Sequence, residues 1–406
     1  MRAGILRLAV LTALLSVRAG AQTVLLTESE ALARAAEHPR IEAARAAAQV
    51  VAADGLAARR WPNPRASVTR EAVAGIAEHM VTVTQALPIT GRRQLDGLAA
   101  DARTQAAASR ADEQVRRMRA DVRLAFADLV LAQARERELT DIRVRLQALA
   151  DVIARREAAG DAAGFDRLRA EREVLEVDAE RASATVDRAR AQAALWNLVL
   201  VTGPAASLVA VPAAPPPSVV PETGALVVRA YASRPLLGAL RLDVQAAEAA
   251  GRAASRRVVP EPEVVAGTKL SSAGTGDVGA VFGVHITVPL FDRAEPERAA
   301  ADARARQARA EIEATRRALQ ADIEARREAV VQRRDIASRY RQALIGGAGE
   351  IERIAQVSYD AGERGILELL DAHRTASTAR LRQVQLDAAV RVAEIELEYI
   401  SGWELP

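Results

Sequence analysis

Apolar positions change their spacing along this chain, and the changes mark out its elements. Phe282, Val284, Ile286 and Val288 alternate with Gly283, His285 and Thr287, and Val81 and Val83 alternate with Thr82 and Thr84. A period of two gives a strand one apolar and one polar face. Such segments come in pairs, Arg65 to Ala72 with Met80 to Leu87, and Glu263 to Ser271 with Val278 to Val288. Gly75 and the run Gly274-Thr275-Gly276-Asp277 supply the turns between them. Elsewhere the spacing is three and four. Leu139, Ile142, Leu146, Leu149 and Ile153 form a coiled-coil seam inside a proline-free stretch from Arg92 to Ala158, and a second stretch runs from Glu297 to Asp360. At about 1.5 Å per residue each helix reaches roughly 100 Å. Gly346, Gly347 and Gly349 are expected to bend or break the second one.

The plan occurs twice. His38-Pro39 resembles Arg234-Pro235, Trp61-Pro62-Asn63-Pro64 resembles Val259-Pro260-Glu261-Pro262, and Leu87-Pro88-Ile89 resembles Val288-Pro289-Leu290. Gly160-Asp161 with Asp166, Leu168 and Ala170 matches Gly362-Glu363 with Glu368, Leu370 and Ala372. The order is kept and the offset grows slowly, as small insertions would produce. Each copy reads as a helix (Glu28 to Arg60; Glu222 to Arg257), a Pro-x-Pro stop, a hairpin, the long helix, a glycine turn (Gly160 to Gly164; Gly362 to Gly365) and a return helix (Phe165 to Val201; Ile366 to Gly402). The expected division is therefore residues 22–210 and 222–406, joined by a proline-rich linker over 211–221.

Residues 1–21 read as a secretory signal. Arg2 and Arg7 precede an apolar stretch from Ile5 to Val17, and Ala19-Gly20-Ala21 suits cleavage before Gln22. The stretch is too short for a bilayer-spanning helix, and no later segment approaches that length. An exported chain of this kind is soluble, lipid-anchored or a β-barrel. The absence of cysteine removes the thioether lipid anchor, disulfides and thiolate metal sites.

The formal charge of +3 loses Arg2, Arg7 and Arg18 with the signal, leaving a near-neutral chain with arginines and acids interspersed. That pattern is a set of solvated helix faces and gives no reason to expect nucleic acid as a partner. Aromatic residues make up only 3%, which suits long helices packed through alanine better than a compact mixed core. His38, His79, His285 and His373 are scattered, so neither a bound metal nor a cofactor is expected, and no catalytic arrangement stands out.

Four strands cannot close a membrane barrel, for which about eight are the minimum. Open sheet edges are not tolerated in lipid, yet these strands have the length to cross an outer membrane. Three chains pooling their hairpins would supply twelve. The competing readings are a small sheet in a soluble α/β protein and a pore-less periplasmic coiled-coil scaffold.

Over nearly the whole chain after the signal, the sequence resembles the TolC-like outer-membrane efflux protein family. Gln85-Ala86-Leu87-Pro88-Ile89 with Gly91-Arg92-Arg93, Val288-Pro289-Leu290-Phe291-Asp292-Arg293, and Gly164-Phe165-Asp166-Arg167-Leu168-Arg169-Ala170-Glu171 are similar to its CzcC-like, heavy-metal branch. The resemblance implies a mainly α fold with a small membrane β part: a homotrimer whose twelve-stranded barrel in outer-membrane lipid continues as a twelve-helix periplasmic tunnel. It implies a periplasmic adaptor (a membrane fusion protein), an inner-membrane pump of the resistance-nodulation-division type, and divalent heavy-metal cations as cargo. Drug efflux or type I protein secretion remain alternatives. It further implies a periplasmic gate of Tyr359, Arg364 and Asp166, an acidic entrance ring of Glu368 and Asp371, and adaptor-contact tips at Gly160 and Gly362. Phe165 departs from the hydroxyl residue sometimes found at that position.

Overall fold

The computed structural model describes residues 23–160, 163–213, 219–273 and 277–404. The cleavage site before Gln22, the middle of the proline-rich linker and Gly274 to Gly276 of the second hairpin turn lie outside the described residues. The element order is β1 (Val24–Leu26), α1 (Glu28–Ala35), α2 (Pro39–Ala57), β2 (Arg65–Val73), β3 (Ile76–Ala86), α3 (Arg92–Ala158) and α4 (Gly164–Trp196), followed by β4 (Leu208–Ala210), α5 (Thr223–Ser233), α6 (Pro235–Arg256), β5 (Pro262–Ser271), β6 (Val278–Ile286), α7 (Glu295–Asp360) and α8 (Ile366–Ser401).

Two expectations need correction. The first helix of each copy is broken in two, because Pro39 and Pro235 each open a new helix. Their predecessors, His38 (ψ 138°) and Arg234 (ψ 113°), are held in extended backbone, as a residue before proline must be. Conversely, α7 is not interrupted at its glycines, which continue the helix. A helical glycine costs only about 1 kcal/mol, and the long flanking helix bears that.

Three stacked levels make up the protomer, and each is a row of four. The sheet has the order β2-β3-β5-β6, with every neighbouring pair antiparallel. Next to it α2, α3, α6 and α7 pack in that order, and at the far end the order is α4, α3, α8, α7. Every row is open at both sides. Edge strand β2 and helices α2 and α4 border one side, while β6 and α7 border the other.

Between the two helical levels, β1 and β4 form a short parallel pair, Val24 opposite Leu208 and Leu26 opposite Ala210. Strands of three residues are too short to show a period, so neither was expected from the sequence. They cover a core of Leu26, Phe126, Leu129, Leu195 and Leu208. A second core of Leu226, Leu237, Ile323, Leu397 and Trp403 serves the other copy. Charged side chains tie this waist across the copies. Arg123 on α3 donates to Glu28 (2.6 Å) and to buried Glu398 on α8, and Arg391 donates to Glu28 at 2.7 Å.

The strand end and the helical tip: two ends of a candidate channel

Strand register sorts the sheet into two unlike faces. Phe282, Ala266, Val83 and Ala66 stand side by side on one, with Ala280, Thr268, Val81 and Val68 in the next row. The opposite face carries Glu263 beside His285, Arg65 beside Thr84, and Ser67 beside Thr82. Arg65 pairs with Glu263, Lys269 reaches Glu78 at 2.6 Å, and the hydroxyls of Ser67 and Thr82 are 2.8 Å apart. The apolar face is the exposed one, with Phe282 at 81% and Val68 at 77%, whereas Thr82 and Val265 on the other face are buried. The polar face is therefore the more crowded of the two. Gly267 permits the closest approach, since a Cβ there would lie 2.1 Å from the Val81 carbonyl oxygen.

At the other end, the two helical turns are similarly built. Gly160 (φ 84°) and Gly362 (φ 73°) adopt the left-handed conformation that ends a helix, with open space where a side chain would project. The amides of Glu363 and Arg364 both donate to the Ser358 carbonyl, at 2.9 and 3.2 Å. All four helices share a core here. Leu139, Ile142, Leu146, Leu149 and Ile153 of α3 meet Val174 of α4, Ala355 of α7, and Ile366, Leu369 and Leu370 of α8, so the seam read from the sequence is buried as expected.

The expected gate residues lie at this end but are not joined within one protomer. Tyr359 packs, partly buried, at the edge of the core, and Arg364 is exposed in the turn. Asp166 sits half-buried in the first turn of α4, and among the described residues no hydrogen bond or ion pair joins it to either partner. Glu368 and Asp371 are both exposed, one turn apart on α8. Asp371 also acts on Arg374, which pairs with Glu173 of α4.

Other side chains at the tip escaped the sequence reading. The Arg156 guanidinium of α3 lies over the Tyr359 ring, 5.0 Å from its centre, and donates to Asp360 at 3.0 Å. One arginine therefore clasps the tip of α7 to α3. Nothing local predicts it, because the partners lie in different copies. A second cluster lies further along α8, where His373 faces Glu352 of α7 at 3.5 Å and Arg380 also pairs with Glu352. Burial pushes the His373 imidazole below its ordinary value. Arg145 and Arg380 act in the same direction, and Glu352 opposes them.

Among the described residues no group of His, Asp and Glu side chains is arranged to hold a metal ion, and no helix is long and apolar enough to cross a membrane. The exposed apolar surface of the strand end lies on one face of the sheet.

Comparison with known proteins agrees. The family described as Outer membrane efflux protein matches residues 226–402. A cobalt-zinc-cadmium resistance protein, CzcC of Cupriavidus metallidurans, is 27% identical over 293 residues, covering 70% of this chain and 68% of that protein. Among solved structures, the fold is shared with a Pseudomonas aeruginosa membrane protein (TM-score 0.77, 22% identity, 92% of each chain). It is shared also with the CusC channel (TM-score 0.78, 17% identity, 93% of this chain and 92% of that one). By its sequence over residues 226–402 and by its fold, the chain is similar to the TolC-like outer membrane efflux proteins, a likeness that places it in the outer membrane and extending into the periplasm.

Proposed function

We propose that three copies of this chain close into one exit duct, a twelve-stranded barrel continued by a twelve-helix tunnel, that exports divalent heavy-metal cations. One observation carries the closure: every level is a four-element row left open on the same two sides. In lipid an unpaired strand edge is costly, so β6 of one protomer pairs with β2 of the next, and the helical rows follow. The metal cargo rests on the likeness to CzcC, whose name states cobalt, zinc and cadmium resistance.

Ring closure also supplies the missing gate contact. Tyr359 and Arg364 belong to the α7 side of the tip and Asp166 to α4, at opposite ends of the row. They meet only across a subunit boundary, where Arg364 and Tyr359 donate to Asp166 of the neighbour. Glu368 and Asp371, repeated three times, form an acidic ring that concentrates cations and repels anions. Gly160 and Gly362 shape blunt tips for a periplasmic adaptor, which couples the duct to an inner-membrane pump of the resistance-nodulation-division type. The two sequence copies, 22–210 and 222–406 with the linker between, act as one channel unit.

The test is genetic and biochemical. Deleting the gene is expected to raise sensitivity to zinc, cobalt or cadmium and leave dye and drug sensitivity nearly unchanged, and the protein is expected as a detergent-extracted trimer. The reverse phenotype would overturn the cargo alone. A soluble periplasmic monomer would overturn the duct.

A further inference from the structure

We propose that the collar where strands give way to helices binds anionic glycerophospholipid headgroups of the periplasmic leaflet, an inference that rests on the outer-membrane placement above. The apolar face of the sheet continues past the last strand residues. Ile89 is 69% exposed, Leu290 64% and Phe291 fully so. Immediately beyond them, on the helical side, both copies place arginines: Arg59, Arg60, Arg92 and Arg93 in the first, and Arg256, Arg257, Arg293 and Arg298 in the second.

Their charges are only partly met. Arg59 pairs with Asp101, Arg92 with Asp96 and Glu261, and Arg257 with Glu297. Among the described residues, Arg60, Arg93, Arg256 and Arg293 have no carboxylate partner, and Arg298 reaches only backbone oxygens of Arg293 and Ala294. Two collar carboxylates remain to set against them. Asp292 accepts from the Ala294 amide, and Glu295 stands exposed. The collar therefore keeps a positive surplus in every protomer. Arg93 lies over the exposed Trp61 ring, 5.2 Å from its centre, and an indole at the edge of an apolar band is a usual mark of the headgroup level.

The chemistry selects the ligand. A guanidinium offers paired N–H donors that match phosphodiester oxygens. Phosphatidylethanolamine brings its own ammonium to the same phosphate, whereas phosphatidylglycerol and cardiolipin leave the negative charge uncompensated, and basic clusters beside a membrane surface favour such lipids. Lipopolysaccharide lies in the opposite leaflet, out of reach of a collar on the tunnel side.

The experiment uses the full-length trimer, purified in detergent and then placed in nanodiscs of phosphatidylethanolamine with phosphatidylglycerol. Lipid retained through detergent washing is quantified by mass spectrometry. Wild type is expected to enrich phosphatidylglycerol severalfold over the supplied ratio, with the enrichment falling as salt rises. The variant Arg60→Gln/Arg93→Gln/Arg256→Gln/Arg293→Gln is expected to lose most of it while remaining trimeric. Arg169→Gln with Arg172→Gln at the distal end of α4 is expected to keep it. Retention of both lipids at the supplied ratio by wild type overturns the inference, as does a quadruple variant with undiminished enrichment. The salt series on wild type decides the matter if that variant fails to assemble. A wild-type protein needing no detergent would instead overturn the membrane reading itself.

Discussion

The two long helices are near twins in sequence plan and unequal in position. α3 has 67 residues and α7 has 66. α3 runs through the middle of the protomer, packed by α2 and α6 at one level and by α4 and α8 at the other. It buries Met118, Val122, Phe126 and Leu129 at the waist and the whole seam from Leu139 to Ile153 at the tip. α7 is an edge, covered by α6 and α8 with α5 alongside. Its buried residues are mostly alanines, and Ile336, Ile351, Ile354 and Val357 are left exposed at 46 to 57%. A duplicated sequence has thus produced one helix at the centre of the protomer and one at its edge. Under the proposed closure, the exposed apolar residues of α7 and the open strand edge of β6 face the neighbouring protomer.

The strongest way to break this contrast is to damage α3. Ile153 and Leu139 are 0 and 1% exposed, and truncating a residue so placed removes its transfer energy and leaves a cavity, at a cost of about 2–5 kcal/mol. Ile153→Ala and Leu139→Ala are each expected to lower the denaturant midpoint of the isolated protein in detergent. Unchanged midpoints would mean that the seam is not a protomer core. On α7 the same chemistry should act between chains. Ile351→Ala, Ile354→Ala and Val357→Ala together are expected to weaken the trimer on native gels while leaving the helical content of each chain intact.

The tip separates the two kinds of contact again. Tyr359→Phe with Arg364→Ser removes links expected only between neighbours, each worth about 1–3 kcal/mol, so single-channel conductance in planar bilayers is expected to rise severalfold. Glu368→Ala with Asp371→Ala is expected instead to weaken cation selectivity. If both double variants conduct and select as wild type does, the gate assignment fails. Arg156→Gln breaks a contact made inside one chain. The loss of a half-exposed cation–π contact and an ion pair should cost only about 0.5–1 kcal/mol, read as a small shift in unfolding with trimer content unchanged.

The smallest effect expected is a pH dependence at the α7–α8 contact. His373 is partly buried and its imidazole is held below the ordinary value of 6.5. The unfolded chain therefore binds the proton more readily than the folded one. Stability from this group is fully present above about pH 6.5 and falls as the pH drops through that value toward the folded one. His373→Gln is expected to flatten that part of the stability curve. A slope unaltered by the substitution would assign it to other groups.

Much of this was legible in the chain. The strands announced themselves because Val81, Val83, Phe282 and Val284 alternate with polar or small residues, and register then confirmed one apolar face. The coiled-coil seam was equally plain. What escaped is instructive. Three-residue β1 and β4 carry no period, and the Arg156 clasp on Tyr359 joins residues on different copies. The glycines of α7 looked like a break, yet local propensity there is overruled by the helix on either side.

The sequence by itself determined the period of each segment, the duplicated order of elements and the places where proline and left-handed glycine must end a helix, because each depends on neighbours in the chain. It could not determine which of two similar long helices lies at the centre and which at the edge. That choice rests on packing between distant segments, α3 against α6 and α8, and on which side chains remain uncovered when one protomer is complete. Only the tertiary structure weighs those contacts together, so only it decided which edges of the protomer stay open.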